Sequence, residues 1–194
     1  MRLTSKFVIG IDEVGRGAVA GPLVIGAACG KWNGKLAKAL KGVRDSKKLT
    51  PRQREEWFKK FKKLPIKFYT VSISNDLIDQ KGMGWALREG IVKLLKKSKK
   101  RPDLVLLDGG IHAPQKYIQK TIIRGDDKIP LISAASIYAK VTRDKLMVKL
   151  DGCYHCYGFK NHKGYGTASH LAAVKKNGLS QIHRRSFLSH IDKK

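Results

Sequence analysis

The order of the predicted strands and helices constrains the fold of this chain more than any single motif does. Five strands are predicted, at 7–11, 23–29, 66–74, 104–107 and 121–123. The tight turn Gly15-Arg16-Gly17 joins the first two strands, so we expect them to pair antiparallel. The last two are short and apolar, which is typical of strands buried on both faces, and each is expected to lead into a helix. This order predicts an α/β fold in which a mixed sheet carries helices on its faces.

Helix signals lie between and after these strands. The segment Thr50-Pro51-Arg52-Gln53 combines a capping threonine, a proline at the first helical position and a glutamine at the third, which predicts a helix start. Apolar residues at helical spacing predict a helix across 87–95, and a long helix is expected from about 131 to 150. Residues from about 160, with a helix near 168–176 and a basic end, are expected to extend a single domain that covers 1–194.

Net charge limits the classes of partner. The chain has 41 Lys and Arg against 15 Asp and Glu, a formal net charge of +26. Such an excess destabilises a compact protein by self-repulsion unless an anionic partner neutralises it. Nucleic acid is favoured because the basic residues are spread along the chain and form no polybasic membrane anchor. No apolar stretch is long enough to cross a membrane and residues 1–7 lack the apolar core of a secretory signal, so we expect a cytoplasmic protein.

In so basic a chain, the positions of the few acidic residues are informative. Asp12 and Glu13 close the first predicted strand, Asp108 closes the fourth, and Asp126 follows the fifth. If these strands are parallel neighbours, their carboxylates converge beyond one sheet edge, where bound cations are needed to hold them together. Oxygen ligands favour Mg²⁺ or Mn²⁺, and two such ions can bind the attacking and leaving oxygens of a phosphodiester. Each aspartate could instead be a turn former, as in Asp108-Gly109.

Two points about these carboxylates stay open at the level of the residue pattern. Adjacent residues of a strand point to opposite faces, so Asp12 and Glu13 share a site only if the strand twists or ends between them. Asp144 is a rival to Asp126, because it falls on the apolar stripe of its predicted helix. Alternatively, Asp144 forms an ion pair with a Lys or Arg, or caps a neighbouring element.

A series of motifs runs in order from residue 10 to residue 187. The motifs are Gly10-Ile11-Asp12-Glu13-Val14-Gly15-Arg16-Gly17, Asp45-Ser46-Lys47-Lys48-Leu49, Leu107-Asp108-Gly109, Gly125-Asp126, Ser133-Ala134-Ala135-Ser136-Ile137-Tyr138-Ala139-Lys140-Val141-Thr142-Arg143-Asp144, His162-Lys163-Gly164-Tyr165-Gly166-Thr167 and His183-Arg184-Arg185-Ser186-Phe187. Each motif is weak alone, but together they are specific, and they resemble the ribonuclease HII family, the type 2 ribonucleases H.

This resemblance implies a ribonuclease H-like fold with a mixed five-stranded sheet and a C-terminal helical segment. It implies a metal-dependent endoribonuclease that cleaves the RNA strand of RNA–DNA hybrids and incises at ribonucleotides embedded in duplex DNA, leaving 3′-hydroxyl and 5′-phosphate ends. The catalytic and metal-binding residues that it implies are Asp12, Glu13, Asp108 and Asp126, with Mg²⁺ or Mn²⁺ as cofactor and two ions when substrate is bound. Asp144 does not match the site of the family and is assigned to structure.

Substrate contacts follow from the same resemblance. The turn Gly15-Arg16-Gly17 resembles the element that senses the 2′-hydroxyl at the RNA–DNA junction, and Tyr165 resembles the aromatic residue that stacks on the neighbouring sugar. Apart from the resemblance, Lys47 and Arg184 are expected, as basic residues, to contact phosphates. We expect the protein to act as a monomer.

The alternatives are a type 3 ribonuclease H, which carries an extra N-terminal domain and a lysine in the junction-sensing turn, and a non-catalytic basic RNA-binding protein. The second would explain the net charge but not the acidic strand ends. Cys153 and Cys156 lack the second ligand pair of a structural zinc site, so we expect ordinary thiols. No histidine is expected to act as a catalytic base, and His170 and His183 are expected to be hydrogen-bond partners.

Overall fold

The computed structural model describes residues 6–43 and 45–189, and a five-stranded sheet forms its centre. The strands, in chain order, are β1 Phe7–Val14, β2 Leu23–Lys31, β3 Lys67–Ile73, β4 Leu104–Asp108 and β5 Gln119–Ile122. Their order in the sheet is β3-β2-β1-β4-β5. β2 pairs antiparallel with β1 and β3, whereas β4 pairs parallel with β1 and β5. The predicted mixed sheet and the antiparallel pairing of the first two strands are therefore confirmed.

Helices flank this sheet on both faces. They are α1 Gly34–Ala39, α2 Pro51–Phe61, α3 Asn75–Lys81, α4 Met83–Lys97, α5 Gly125–Lys128, α6 Pro130–Asp151, α7 Phe159–His162 and α8 Ala168–Asn177. The predicted start of α2 is confirmed. The Thr50 hydroxyl accepts a hydrogen bond from the Gln53 N–H (3.3 Å), and the Gln53 side chain accepts one from the Thr50 N–H (2.9 Å). Within the described residues, no helix has the length and apolar character needed to span a membrane.

The helix that was expected after the fourth strand is not formed, and that prediction was wrong. Residues 109–118, which join β4 to β5, are a loop without helix. Two glycines begin this loop and Pro114 interrupts it, so the segment has neither the length nor the composition for a stable helix. The Gln119 side chain fastens the loop, accepting from the Ala113 N–H (2.7 Å) and donating to the Ala113 carbonyl (2.8 Å).

The two longest helices cover opposite faces of the sheet. α4 packs against β2 and β3 on the face that carries Ile9 and Val105, whereas α6 packs with α2 on the other face. Gly10 faces α6 so closely that a Cβ there would lie 2.6 Å from the Leu131 carbonyl carbon. Because α6 lies directly against β1, polar residues along α6 are carried past the end of that strand.

The C-terminal segment packs against the same end of the sheet. α7 and α8 surround a small core around Phe159. Isolated bridges join Ala18 to Tyr165 and Ala20 to His183, both across to the connection between β1 and β2. The described part of the predicted extension therefore lies beside the carboxyl end of β1, while residues 190–194, at the basic end of that extension, lie outside the described residues.

Candidate active site

The site begins where β1 loses one of its two neighbours. Parallel pairing with β4 ends at Ile11↔Leu107, but pairing with β2 continues to Val14. Asp12 and Glu13 therefore lie on a strand that is open on one side, and both line the same cavity of about 450 Å³. The strand does not end between these two residues. They share a site because the sheet ends beside them.

The cavity brings together residues from four separate segments. Gly15, Arg16, Gly17, Lys47 and Tyr165, all predicted to contact substrate, line it together with Asp12 and Glu13. Three further polar residues, none of them predicted as a site residue, also line the cavity: Ser46, Ser136 and Lys140. Lys47 stands on a short 3-10 helix, Ser46–Lys48, and its side chain is exposed.

Asp108 and Asp126 are joined at the ends of β4 and β5. The Asp108 Oδ1 accepts hydrogen bonds from the backbone N–H groups of Gly125 (2.6 Å) and Asp126 (3.4 Å). Asp126 lies in the first turn of α5 and is buried. The Ser133 hydroxyl donates to the Asp126 carbonyl (2.6 Å), which fixes α5 against α6. The end of one strand is thus tied to the segment that follows its parallel neighbour.

These carboxylates interact electrostatically. Burial raises the pKa of Asp12 well above its usual value, and the negative charges of Glu13 and Asp108 raise it further. A hydrogen bond from Ser136 acts in the opposite direction. The pKa of Glu13 is also raised, by burial and by Asp108, against the opposing charge of Arg16. This cluster carries more negative charge than the surrounding protein neutralises.

The pKa of Asp126 is also raised by burial and by neighbouring carboxylates. Burial, followed by the charges of Asp108 and Asp45, raises the pKa of Asp126 to about 6. Lys47 forms an ion pair with it, with 3.8 Å between the Lys47 Nζ and the Asp126 Oδ2. Burial lowers the pKa of Lys47, but Asp45, Asp126, Asp12 and Asp108 together outweigh burial and raise it.

The donor set of this cluster suits a hard divalent cation, because four carboxylates supply oxygen ligands in a partly desolvated setting. Within residues 6–43 and 45–189, however, no three Asp, Glu, His or Cys side chains are grouped so as to hold one metal ion. Protein donors engage the carboxylates instead: backbone N–H groups hold one oxygen of Asp12 and one of Asp108, and Lys47 faces Asp126. The residues fit the ion by chemistry and charge.

The turn 15–17 and Tyr165, which were predicted to contact substrate, line the wall of the cavity beside Asp12 and Glu13. Gly15 has a φ of +90°, a conformation that glycine adopts readily. Ala18, three residues further, forms the bridge to Tyr165. The Tyr165 ring contacts two cations, with its centroid 5.5 Å from the Lys140 Nζ and 5.4 Å from the Arg143 Cζ. The glycine turn and the aromatic residue are therefore neighbours, although the sequence separates them widely.

Arg184 differs from its predicted surroundings. Its side chain is fully buried, donating from Nε to the Gly21 carbonyl and from Nη1 to the Arg16 carbonyl, each at 3.0 Å. A guanidinium in this position cannot reach a phosphate in solvent, so we correct the expected phosphate contact to a role inside the protein. Asp144 forms an ion pair with Lys140 (2.8 Å), which is the structural alternative that the residue pattern had left open.

A periodicity in α6 could have revealed the residues that were missed. Ser133, Ser136, Lys140 and Arg143 are separated by three, four and three positions, so they form one polar line on an otherwise largely buried helix. Such a line on a helix that packs against the sheet indicates polar partners on neighbouring segments: Ser133 donates to the Asp126 carbonyl, and Arg143 donates to carbonyls of the β1–β2 connection and of Lys163.

The predictions for two histidines and two cysteines concern hydrogen bonds and free thiols. His170 and His183 are hydrogen-bonded to each other between their Nε2 atoms (3.1 Å), and His170 also bonds the Tyr165 carbonyl (2.9 Å), so their predicted hydrogen-bonding role is confirmed. Cys153 and Cys156 are exposed free thiols.

Comparisons with known proteins agree with this geometry. A family model described as Ribonuclease HII matches residues 9–190. The ribonuclease HII of Prochlorococcus marinus strain MIT 9312 is 42% identical over 185 residues, which cover 95% of this chain and 90% of the relative. The crystal structure of ribonuclease H2 from Pyrococcus horikoshii OT3 matches with a TM-score of 0.78 and 29% identity, over 97% of this chain and 100% of that chain.

A more distant likeness concerns the type 3 enzymes. The structure of Bst ribonuclease HIII in complex with Mn²⁺ matches with a TM-score of 0.65 and 18% identity, over 100% of this chain and 72% of that chain. This likeness extends to the fold alone. The expected type 2 family is therefore favoured over the type 3 alternative.

Proposed function

The chain belongs to the ribonuclease HII family, and we propose on that premise how its site acts. It is an endoribonuclease with ribonuclease H activity, and it uses divalent metal ions. The proposed substrates are the RNA strand of RNA–DNA hybrids and ribonucleotides embedded in duplex DNA, with 3′-hydroxyl and 5′-phosphate ends as products. The observation that carries this proposal is the convergence of Asp12, Glu13, Asp108 and Asp126 in a chain of net charge +26.

We assign metal binding and catalysis to these four carboxylates, and we propose two ions, Mg²⁺ or Mn²⁺, when substrate is bound. The chemistry that bound ions supply is activation of a water for in-line attack and stabilisation of the departing 3′-oxygen. The chain's own residues hold the ligands in place: Ser136 orients Asp12, and the N–H of Gly125 orients Asp108. Lys47 offsets the charge of Asp126 until an ion binds and is then free to meet a phosphate.

Recognition of ribose is assigned to the wall of the cavity. The turn of Gly15, Arg16 and Gly17 presents backbone groups to a sugar that approaches the carboxylates, and a 2′-hydroxyl both donates and accepts hydrogen bonds. The flat Tyr165 ring packs against the neighbouring sugar. We further propose a cytoplasmic monomer formed by one domain.

The proposal is tested by cleavage of three labelled duplexes: all DNA, DNA with one ribonucleotide, and a long hybrid, each with and without Mg²⁺. The protein is expected to cut the second and third only, and only with metal. Asp12→Asn and Asp108→Asn should abolish cutting but retain binding, because phosphate contacts remain. Asp76→Asn, in the first turn of α3, is the matched control and should cut normally.

Two outcomes would contradict the proposal. Cleavage of all-DNA duplex, or cleavage that survives in Asp12→Asn, would exclude the assigned mechanism. Binding of all three duplexes by the natural protein without any cleavage would favour the non-catalytic basic RNA-binding alternative.

A further inference from the structure

Two arginines lie wholly inside the protein behind the β1–β2 turn, residues 15–22. Arg143 of α6 and Arg184 of the C-terminal segment have no exposed surface. Among the described residues, neither guanidinium forms an ion pair with a carboxylate. Burying a cation in this way is unfavourable unless its N–H groups are satisfied by other acceptors. Their acceptors therefore indicate what the two residues hold.

Arg143 joins the β1–β2 turn to the loop that carries Tyr165. Its Nε donates to the Pro22 carbonyl (2.9 Å) and its Nη2 to the Ala20 carbonyl (3.0 Å). Its Nη1 donates to the Lys163 carbonyl (2.8 Å), two residues before Tyr165. One planar guanidinium thus holds two separate segments of chain at a fixed separation.

Arg184 holds the same turn from the opposite end of the sequence. Its Nε and Nη1 donate to the carbonyls of Gly21 and Arg16, each at 3.0 Å, and its Nη2 has no hydrogen-bond partner within the described residues. The Arg184 N–H also donates to the Val19 carbonyl (2.8 Å). The carbonyl of Arg16, at the centre of the proposed ribose-sensing turn, is therefore fixed by a buried side chain.

The backbone around the two guanidiniums is fitted to them. A Cβ on Gly15 would overlap the Arg143 side chain, and a Cβ on Gly164 would lie 2.5 Å from the Ala20 carbonyl oxygen. Lys163 adopts a left-handed conformation, with a φ of +54°, that is uncommon for a residue with a side chain. Such a conformation persists only when its surroundings determine it, and the Arg143 hydrogen bond is one of those determinants.

We propose that Arg143 and Arg184 are positioning residues that set the discrimination between ribose and other sugars at the scissile position. The proposal rests on the function proposed above. Neither arginine lines the cavity, so they act through the turn and Tyr165, which do. A site that recognises one hydroxyl depends on the separation of its two walls, and a displacement of about 1 Å can reduce a rate by about 100-fold.

The experiment compares two duplexes that differ at one sugar. One contains a single ribonucleotide and the other a 2′-deoxy-2′-fluoro nucleotide at the same position, which lacks the hydroxyl proton and accepts hydrogen bonds poorly. Single-turnover cleavage with Mg²⁺ gives the ratio of the rate on the ribonucleotide duplex to the rate on the fluoro duplex. Where the fluoro duplex is not cut measurably, the detection limit gives a lower bound on this ratio. Fluorescence anisotropy gives the duplex Kd. Arg143→Met and Arg184→Met should lower the ratio by about 10–100-fold and leave Kd within about twofold.

Lysine variants and a core variant separate positioning from stability. Arg143→Lys and Arg184→Lys keep the charge but lose the planar guanidinium, so they should fold and should show a rate ratio between those of the methionine variant and the natural protein. They replace a methionine variant that does not fold. Leu94→Ala removes a buried side chain on the other face of the sheet and should lower Tm without changing the ratio. All rates are measured well below each variant's Tm.

The outcomes are distinguishable. A ratio that stays unchanged in all arginine variants, with activity following Tm as in Leu94→Ala, would overturn the positioning role while leaving the proposed function intact. A natural protein that does not cut at the single ribonucleotide would overturn both.

Discussion

At the scale of single residues, the protons on the buried imidazoles near Tyr165 are fixed by their hydrogen-bond partners. The Ser180 N–H donates to the His183 Nδ1 (2.9 Å), so the ring proton of neutral His183 is on Nε2. That proton is donated to the His170 Nε2 (3.1 Å), and the His170 Nδ1–H is donated to the Tyr165 carbonyl (2.9 Å). Each ring uses both nitrogens with one proton, and a second proton on the His183 Nδ1 would face the Ser180 N–H, which already donates to that nitrogen (2.9 Å).

This arrangement predicts a loss of stability in acid. Burial, with the nearby His170, lowers the pKa of His183 to about 4. An unfolded histidine titrates near pH 6.5. The contribution of neutral His183 to the free energy of unfolding is therefore complete above about pH 6.5 and is lost as pH falls toward 4. By pH 5 the loss should be about 2 kcal/mol, or roughly 4–8 °C in Tm.

A variant isolates this contribution, because acidic groups with raised pKa values, such as Asp126, act in the opposite direction as pH falls. His183→Gln should be less stable than the natural protein at pH 7, and the gap in unfolding free energy should shrink by about 2 kcal/mol at pH 5. Urea denaturation at both values measures it. A gap that stays constant would show that His183 does not titrate in this range.

The sequence predicted individual site residues best where a backbone rule placed them. Asp12 and Asp108 were predicted because they close strands, and each directly follows the last pair of the parallel β1–β4 ladder, Ile11↔Leu107. Arg184 was misplaced because a basic residue in a basic chain carries no signal of burial. Only the packing of the C-terminal segment against the β1–β2 turn decides that Arg184 points inward.

At the scale of secondary structure, the contact between β1 and α6 decides whether the site forms. Asp12 is in β1, and Ser136, whose hydroxyl lowers the pKa of Asp12, is in α6. The two elements approach closely because Gly10 has no side chain, and its ideal Cβ would lie 2.6 Å from the Leu131 carbonyl carbon and 2.7 Å from the Ile132 nitrogen. Backbone atoms cannot move aside as a flexible side chain can.

Gly10→Ala should therefore destabilise the protein by about 1–3 kcal/mol and reduce cleavage more than binding, because it separates Asp12 from Ser136. Gly34→Ala, at the first residue of α1, is the matched control: an ideal Cβ there meets nothing within 4 Å. Urea denaturation and single-turnover cleavage provide the two measurements. Equal stability of the two variants would contradict the close contact.

Element predictions succeeded where the local pattern was strong and failed where tertiary pairing decided the outcome. The Thr50 capping box fixed the start of α2 from local residues alone. The first strand was predicted at 7–11, with Asp12 and Glu13 closing it, but β1 ends at Val14, because continued pairing with β2 extends it. The expected helix at 109–118 failed for the same reason: parallel pairing of β4 with β5 is achieved by a loop.

At the scale of the whole molecule, positive charge is spread over the chain, whereas a large share of the acidic residues lies near the carboxyl ends of the central strands. Four of 15 acidic residues, Asp12, Glu13, Asp108 and Asp126, lie near the carboxyl ends of β1, β4 and β5, and several others are paired with Lys or Arg on the surface. The net charge of +26 therefore surrounds a small acidic centre. The charge total alone predicted a polyanionic partner, but it did not predict which surface meets that partner.

Salt should accordingly act in opposite directions on the free protein and on its complex. Screening reduces self-repulsion in the free protein, so its Tm should rise with salt at low ionic strength.

Nucleic-acid binding should weaken steeply, because log K falls by about 0.9 per log unit of salt for each phosphate that is neutralised. Lys47→Gln should reduce that slope by about one, equally for hybrid and DNA duplexes. Lys31→Gln is the control, since Lys31 pairs with Phe7 at the opposite end of β1 and should leave the slope unchanged. Anisotropy titrations with Ca²⁺ in place of Mg²⁺ measure both slopes, and equal slopes for the two variants would remove Lys47 from the binding surface.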